Sequence, residues 1–328
     1  MRQLQVKASA RTYEVLIETG LLDRLSGHLD PDTFYVVVSD DHIPAAYVEK
    51  VTAACPNHIV IRFPEGEGSK SLAELGRIVD IMTDQCVRKD SCVIALGGGV
   101  TGDLAGFAAA VYLRGIPLIQ IPTTLLAQID SSVGGKVAID TAKAKNAIGA
   151  IHAPVKVLID PAVLKTLDRR QLAAGMAEMI KYGMIADKEF FHRIRTEDVA
   201  ADWEYFIYKS LEIKRRFVEA DEFDEGVRRS LNFGHTYGHA LEAYYEYKKY
   251  LHGEAIAIGM VMIVSNPEVR RELVECLRKY GLPTSDPVDI ENLKMYVNRD
   301  KKNRKDLLSI VDVVDIGSSV IVKSQFKL

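Results

Sequence analysis

Hydrophobic residues in the first half of the chain form short, nearly continuous runs that alternate with segments of helical length. A run that is apolar at every position is typical of a parallel strand covered by helices on both faces. The runs are rich in β-branched residues and span 34–39, 58–63, 91–96, 117–121 and 155–159. They predict an α/β domain with a mostly parallel, Rossmann-like sheet. A run of alternating polarity at 13–18 predicts a further, antiparallel strand.

Beyond about residue 160, apolar positions recur at helical spacing and we expect no further strands. The helical pattern covers 169–185, 203–219, 227–247, 254–264 and 267–280. We therefore predict two domains, an α/β domain at 1–160 and a mostly α-helical domain at 161–328.

Composition narrows the class of protein. The 328 residues are 48% hydrophobic and 27% charged, which is ordinary for a soluble globular protein, and the net charge is −3. We find no polybasic stretch, so we expect no nucleic-acid or membrane partner. The N-terminus does not resemble a signal peptide, and four scattered cysteines suggest reduced thiols. These features predict a cytoplasmic protein.

A glycine-rich segment follows the third run, at 91–96. Gly97, Gly99 and Gly102 match G-x-G-x-x-G between a strand and a helix, where backbone N–H groups can bind a pyrophosphate. A tightly packed strand-to-helix turn explains a single match equally well.

The acidic residue of a standard dinucleotide fingerprint is missing, because the next strand ends in Thr123 and Thr124. Asp40, or Glu67 with Lys70, are alternative ribose ligands. A turn-forming Asp and a solvated charged loop are the alternatives at these positions.

Histidines cluster in the second half of the chain. His235 and His239 share a helix face at i,i+4 spacing, and His252 opens the next helix. Spacing alone predicts 235 and 239 as metal ligands, with Glu178 as a third donor. A surface ion pair between Glu178 and Lys181 is the alternative.

Scattered cationic and polar residues suggest a site for a small substrate with several negative charges. They are Arg114, Asp130, Lys136, Lys145, Asn146, Lys214, Arg228, Asn232 and the Asp300-Lys301-Lys302 run.

Seven ordered blocks across about 35–305 resemble the 3-dehydroquinate synthases. They are GGGVTGDLAGFAAA, YLRGIPLIQIPTTLLAQIDSSVGGKVAID, KNAIGAIHAP, GMAEMIKYG, RRSLNFGHTYGHALEA, LHGEAIAIGM and DKK. The resemblance implies an NAD-binding α/β domain, a helical domain that binds metal and substrate, and a homodimer. It implies a divalent metal, usually Zn²⁺ with Co²⁺ as an alternative, on Glu178, His235 and His252. His239 would then bind the substrate phosphate, which replaces the choice made from spacing.

The resemblance also implies roles for the remaining residues. The phosphate would be held by Lys136, Asn146, Asn232, His239 and Lys302, with Arg114 reaching it from the partner subunit. Lys214 and Arg228 would bind the substrate carboxylate, and Asp130 and Lys181 would lie near the ring hydroxyls and the metal. Among these, the catalytic residues would be Asp130, Lys136, Lys181 and His239. NAD would contact Asp40, Glu67, Lys70, Gly98, Gly99, Asp103, Thr123, Thr124, Lys145 and Thr166. His42 stands where the family commonly has Asn, beside the ribose.

The implied activity is that of a phosphorus–oxygen lyase of the shikimate pathway. It converts 3-deoxy-D-arabino-heptulosonate 7-phosphate to 3-dehydroquinate and phosphate by transient oxidation by NAD, elimination, reduction, ring opening and aldol closure. Related alternatives are an aminodehydroquinate-type cyclase, a cyclase of sugars without a carboxylate, and a metal-dependent polyol or glycerol-phosphate dehydrogenase. Arg228 argues against substrates that lack a carboxylate.

Overall fold

The computed structural model describes residues 1–297 and 308–324. The chain divides into two units, Met1–Leu167 and Asp168–Leu328. The division of roles between 1–160 and 161–328 that the sequence suggests stays a prediction. Within the described part of the chain, no helix is both long enough and apolar enough to cross a bilayer.

The first unit is built on one sheet. Its strands are β1 Arg2–Lys7, β2 Thr12–Ile17, β3 Tyr35–Asp40, β4 His58–Phe63, β5 Cys92–Gly97 and β6 Leu118–Pro122, with a later strand at Lys156–Ile159. Between β6 and the strand at Lys156–Ile159, the chain forms a separate hairpin of β7 Lys136–Thr141 and β8 Ala144–Ile151. The strand at Lys156–Ile159 is therefore numbered β9. The helices are α1 Ala45–Ala53, α2 Leu72–Asp84 and α3 Gly99–Val111.

The strand order is β1-β2-β9-β6-β5-β3-β4, and every pair is parallel except β1 with β2. The mostly parallel sheet predicted from the apolar runs is therefore confirmed. The alternating run at 13–18 corresponds to β2, which is antiparallel to β1 but parallel to β9.

Apolar layers cover the two faces of the sheet. One contains Ile78 from α2 and Leu104 from α3, and the other contains Val51 from α1. Because β3, β5 and β6 are parallel neighbours, Asp40, Gly97 and Pro122 lie at the same edge. This edge carries most of the predicted cofactor residues of the first unit.

The second unit contains seven helices within its described residues. They are α4 Arg169–Ala186, α5 Lys188–Thr196, α6 Trp203–Ala220, α7 His235–Tyr244, α8 His252–Ile263, α9 Pro267–Lys279 and α10 Ile290–Val297. Residues 174–185 of α4 are all buried, so this helix is surrounded by other elements of the unit. These helices confirm the mostly helical character predicted for the second half of the chain.

Two expectations for the second unit are wrong. A hairpin of β10 Leu308–Asp315 and β11 Ser318–Ser324 follows α10, although no strands were expected beyond 160. At its turn, the Gly317 N–H donates to the Met184 carbonyl in α4 at 2.8 Å. The continuous helix predicted at 227–247 is also broken, because Gly234 has a left-handed backbone, with φ 80°, between a 3-10 turn at Val227–Asn232 and α7.

Candidate functional site

The glycine-rich turn joins β5 to α3. Gly98 is the N-cap of α3, and a Cβ atom there would lie 3.1 Å from Thr124 Cγ2. A Cβ atom at Gly97 would lie 2.3 Å from the Thr101 hydroxyl, so tight packing alone requires that glycine. The helix N-terminus beside Gly98 and Gly99 favours an anionic group electrostatically.

Asp40 lies next to this turn. Its carboxylate accepts a hydrogen bond from the Thr101 hydroxyl at 2.9 Å and another from the His42 N–H at 3.0 Å. The His42 side chain is exposed and pairs with Glu65 at 3.1 Å. The structure therefore brings Asp40, but not the His42 ring, to the turn.

Lys70 is the centre of a cluster in the first unit. Its buried ammonium lies 2.6 Å from an Asp103 carboxylate oxygen and also donates to the Asn146 side-chain oxygen. The Asp140 carboxylate accepts from the Asn146 N–H at 2.7 Å and so supports a residue whose φ of 51° is left-handed. Burial raises the pKa of Asp103 to about 6, although Lys70 acts in the opposite direction.

This Lys70 cluster joins residues that the resemblance assigns to different ligands. Lys70 and Asp103 were assigned to NAD, whereas Asn146 was assigned to the substrate phosphate. Beside them, Lys145 and Glu67, two further NAD residues, form an ion pair at 2.9 Å. The charged-loop alternative for Glu67 and Lys70 is wrong for Lys70, which is only 5% exposed.

The other predicted residues of the first unit are more dispersed. The Thr123 hydroxyl is buried without a hydrogen-bond partner among the described residues, and the Thr124 hydroxyl accepts from the Ala127 N–H. Thr166 contacts the Tyr47 hydroxyl at 3.0 Å. Asp130 is half-buried in a π-helical turn, while Lys136 at the start of β7 and Arg114 are exposed.

A carboxylate and three imidazoles cluster in the second unit. Glu178 comes from α4, His235 and His239 from α7, and His252 from the first position of α8. One ligand atom from each of the three histidines lies within 4.8 Å of the others. Glu178 Oε1 lies 3.8 Å from His235 Nε2 and 3.6 Å from His252 Nε2.

The orientation of two of these rings fits a metal site. His235 Nδ1 lies 3.1 Å from the Phe233 carbonyl, and His252 Nδ1 lies 3.4 Å from both carboxylate oxygens of Glu242. Both rings therefore direct Nε2 towards Glu178. Ligand atoms of a tetrahedral zinc site are about 3.3 Å apart, given bonds of ~2.0 Å, so small movements would bring these three donors into range.

Charges around the cluster are strongly perturbed. Glu178 and Lys181 form a short ion pair and are 0% and 2% exposed, so the surface-pair alternative is wrong. Burial, followed by the charge of Lys181, lowers the pKa of His235 to about 3, which keeps its ring neutral and able to ligate. Burial lowers the pKa of His252, but Glu178 and Glu242 outweigh that effect and raise it to about 10.

Glycines set the spacing of the helices that carry these ligands. A Cβ atom at Gly253 would lie 1.9 Å from the Ala174 carbonyl oxygen, so α8 approaches the backbone of α4 directly beside His252. The sequence contains this signal as His252-Gly253, but its meaning depends on which helix lies opposite.

Two cations of the second unit are buried near the end of α6. Lys214 is 5% exposed and Arg228 is 4% exposed. Arg228 Nη1 donates to the Glu222 carbonyl at 2.6 Å, which orients the guanidinium. Asn232 is the last residue of the 3-10 turn Val227–Asn232, which also contains Arg228. Lys302 lies outside the described residues.

Sequence analysis missed the residue that shapes the Arg228 loop. The Asp221 carboxylate accepts hydrogen bonds from the N–H groups of Glu225, Gly226 and Arg228 at 2.7–3.0 Å. Burial would raise the pKa of Asp221, but these backbone hydrogen bonds lower it below its ordinary value. Its partners are backbone groups, so no side-chain motif indicates its role.

A solved structure has the same fold over almost the whole chain. The crystal structure of 2-deoxy-scyllo-inosose synthase complexed with carbaglucose-6-phosphate, NAD+ and Co2+ is 26% identical, with a TM-score of 0.89. The match covers 99% of this chain and 97% of that chain. The fold and the clustered donors thus define a protein of the sugar-phosphate cyclase class.

Sequence comparisons identify the family within this class. The model of the 3-dehydroquinate synthase N-terminal domain matches residues 60–174, and that of the C-terminal domain matches 175–303. A 3-dehydroquinate synthase of Clostridium botulinum is 41% identical over 98% of this chain and 97% of its own length. One from Streptococcus thermophilus is 39% identical over 97% and 96%. The chain belongs to the 3-dehydroquinate synthase family, which confirms the family predicted from the seven blocks.

Proposed function

We propose that this chain is a phosphorus–oxygen lyase that converts 3-deoxy-D-arabino-heptulosonate 7-phosphate to 3-dehydroquinate and phosphate. The observation that carries the proposal is the convergence of Glu178, His235 and His252 in a chain that matches this family along nearly its full length. A buried carboxylate and two oriented imidazoles are a donor set suited to a divalent metal such as Zn²⁺.

NAD and one divalent metal are the cofactors in this proposal, and a cyclase of the same fold was crystallised with NAD+ and Co2+. When bound, the metal would polarise the hydroxyl group that is oxidised, and NAD would take up and return its hydride. Glu178, His235 and His252 would hold the metal. Gly98 and Gly99 would approach the pyrophosphate of NAD, with Lys70, Asp103, Lys145 and Glu67 nearby in the first unit.

The chain's own residues would bind and orient the anionic substrate. Arg228 and Lys214 are buried cations, and a charge-assisted hydrogen bond to a carboxylate is stronger in such a place than in water. We assign them to the substrate carboxylate. His239 is exposed beside the two other histidines and, with Lys136, Asn146 and Asn232, is assigned to the phosphate.

Lys181 would act next to the metal ligands. Its amino group is paired with Glu178 and is nearly inaccessible to water, so it lies directly beside the ligating carboxylate. Asp130 is assigned to the ring hydroxyls. The substrate's own leaving phosphate is a sufficient acceptor for the proton lost in the elimination, so no side chain is assigned that step.

The assembly and location of the enzyme belong to the same proposal. We assign a homodimer in which Arg114, exposed on its own chain, reaches the phosphate bound by the partner subunit. Sedimentation equilibrium measures that state directly. We also assign the enzyme to the cytoplasm, where its sugar-phosphate substrate would be available.

The deciding experiment supplies the metal-loaded chain with substrate and a catalytic amount of NAD. We expect phosphate and 3-dehydroquinate in equal amounts, with no net NADH. A dehydrogenase would instead accumulate NADH, and that result would overturn the proposal.

Sedoheptulose 7-phosphate, which has no carboxylate, is the matched control substrate. We expect it to react poorly, whereas equal turnover of both substrates would assign the chain to a cyclase of sugar phosphates that have no carboxylate. The variant Arg228→Ala should lower kcat/KM for the acid substrate about 30- to 1,000-fold, or ~2–4 kcal/mol, while metal and NAD still bind.

A further inference from the structure

We infer that Glu242 is a positioning residue that orients His252 for metal binding, an inference that rests on the metal site of the proposed function. Both carboxylate oxygens of Glu242 lie 3.4 Å from His252 Nδ1. The other ring nitrogen, Nε2, lies 3.6 Å from Glu178 Oε1. The His252 ring is thus held between two carboxylates, one on each nitrogen.

The chemistry of imidazole makes this arrangement directional. A neutral ring carries its proton on one nitrogen and offers a lone pair on the other. A carboxylate at Nδ1 favours the tautomer that is protonated there, which leaves Nε2 as the ligand. Carboxylates in this position are a recurrent feature of histidine metal sites, where they fix the ring and increase its basicity.

The helices account for the placement of Glu242. It lies seven residues after His235 on α7, so two helical turns bring both side chains to one face. Glu242 is 8% exposed, which is unusual for a glutamate without a nearby partner of opposite charge or a hydrogen-bond donor. One helix therefore supplies a candidate ligand, His235, and the group that orients another, His252.

The two candidate histidine ligands are oriented by different groups. His235 Nδ1 faces a neutral acceptor, the Phe233 carbonyl, at 3.1 Å. His252 Nδ1 faces a carboxylate, which withdraws the Nδ1 proton more strongly and makes Nε2 a better donor. We therefore expect the affinity of the site for metal to depend on Glu242.

The test compares three variants of the full chain. Glu242→Ala removes the acceptor, and Glu242→Gln retains a neutral oxygen acceptor without the charge. Glu246→Ala is the matched control, because Glu246 follows closely, is exposed and pairs with Lys248. The measurement is the Zn²⁺ dissociation constant from chelator competition, together with the visible absorption bands of the Co²⁺-loaded protein.

We expect Glu242→Ala to weaken Zn²⁺ binding about 10- to 100-fold and to shift the Co²⁺ bands. Glu242→Gln should recover part of the loss, and Glu246→Ala should match the unchanged protein. Unchanged Zn²⁺ affinity in Glu242→Ala, or in Glu242→Gln if the alanine variant does not fold, would overturn the inference, as would a melting temperature lowered without any change in metal affinity.

These readouts are separate from the proposed activity. A protein that binds Zn²⁺ through Glu242 but releases no phosphate from the heptulosonate would refute the proposed function and leave this inference standing. Normal phosphate release together with Zn²⁺ binding that does not depend on Glu242 would refute this inference and leave the proposed function standing.

Discussion

The Lys70 cluster of the first unit and the histidine cluster of the second unit both bury charged groups, but they are constructed differently. Lys70, Asp103 and Asn146 come from a loop, a helix and a hairpin, and they pair with one another. The histidines and Glu178 project from helices whose backbones are in direct contact. The first cluster is held by contacts between its own charged and polar side chains, whereas the helices that carry the second are fixed by backbone packing.

This difference indicates how each cluster would respond to its ligand. A cofactor that binds near Lys70 must replace existing ion pairs and hydrogen bonds, so part of its interaction energy is spent on that exchange. A metal that binds between Glu178 and the histidines meets donors already directed towards a common centre, which is a preorganised site. Substitutions should therefore affect the two clusters unequally.

The largest effect is expected from His235→Ala. Removing one of three protein ligands should lower Zn²⁺ affinity at least ~1,000-fold and abolish activity. His239→Ala should retain the metal and lose activity, because His239 is assigned to the substrate. Metal analysis after gel filtration checks both variants. The opposite result, metal lost from His239→Ala and kept by His235→Ala, would show that the roles of these two histidines are assigned wrongly.

A smaller effect is expected from the contact between α4 and α8. Gly253→Ala places a methyl group against the Ala174 carbonyl and should destabilise the second unit by about 3 kcal/mol, with weaker Zn²⁺ binding. Urea unfolding followed by the fluorescence of Trp203, the chain's single tryptophan, measures this change.

Gly76→Ala in α2 is the matched control for that prediction. Nothing lies within 4 Å of a Cβ atom at this exposed position. The free energy of unfolding should therefore increase by roughly 0.5–1 kcal/mol, because alanine favours a helix more than glycine does. Circular dichroism measures this second change. Equal losses in both variants would mean that close packing is not what distinguishes the two positions.

The smallest loss is expected from Lys70→Met. This change removes the cation between Asp103 and Asn146 and should weaken NAD binding about 10-fold, or ~1.4 kcal/mol, because Asp103 and Asn146 then lose their common partner. Zn²⁺ affinity should stay the same. Isothermal titration with NAD and chelator competition test the two statements separately, and a combined loss of both affinities would contradict the independence of the clusters.

The parts of the fold that the sequence predicts well are those with a one-dimensional signature. The buried strands at 34–39 and 91–96 were recognisable because nearly every position is apolar. The β10–β11 hairpin was not, since residues such as Val314 and Ile321 remain exposed and its pattern is not that of a buried strand. The break at Gly234 was missed because a single glycine in a helical pattern is compatible with a continuous helix.

The residues of the candidate site also differ in whether the sequence alone indicates their roles. Several charged residues and histidines of the motif blocks, such as His235 and Arg228, were assigned from the sequence. Asp221 and Glu242 were not, because they act through a backbone loop and through another side chain, and neither kind of contact leaves a fixed spacing. The burial of the Glu178–Lys181 pair depends on the helices around α4, which only the tertiary structure supplies.

The contact between Gly317 and Met184 has a consequence for the order in which the two units complete their folding during synthesis. All strands of the large sheet are complete once the ribosome has synthesised Ile159, so the first unit can fold during translation. In the second unit, the N–H that binds the Met184 carbonyl of α4 belongs to a residue made far later. The helix that carries Glu178 must therefore wait for the β10–β11 turn to leave the ribosome before its native contacts are complete, and the sheet unit is the earlier of the two to mature.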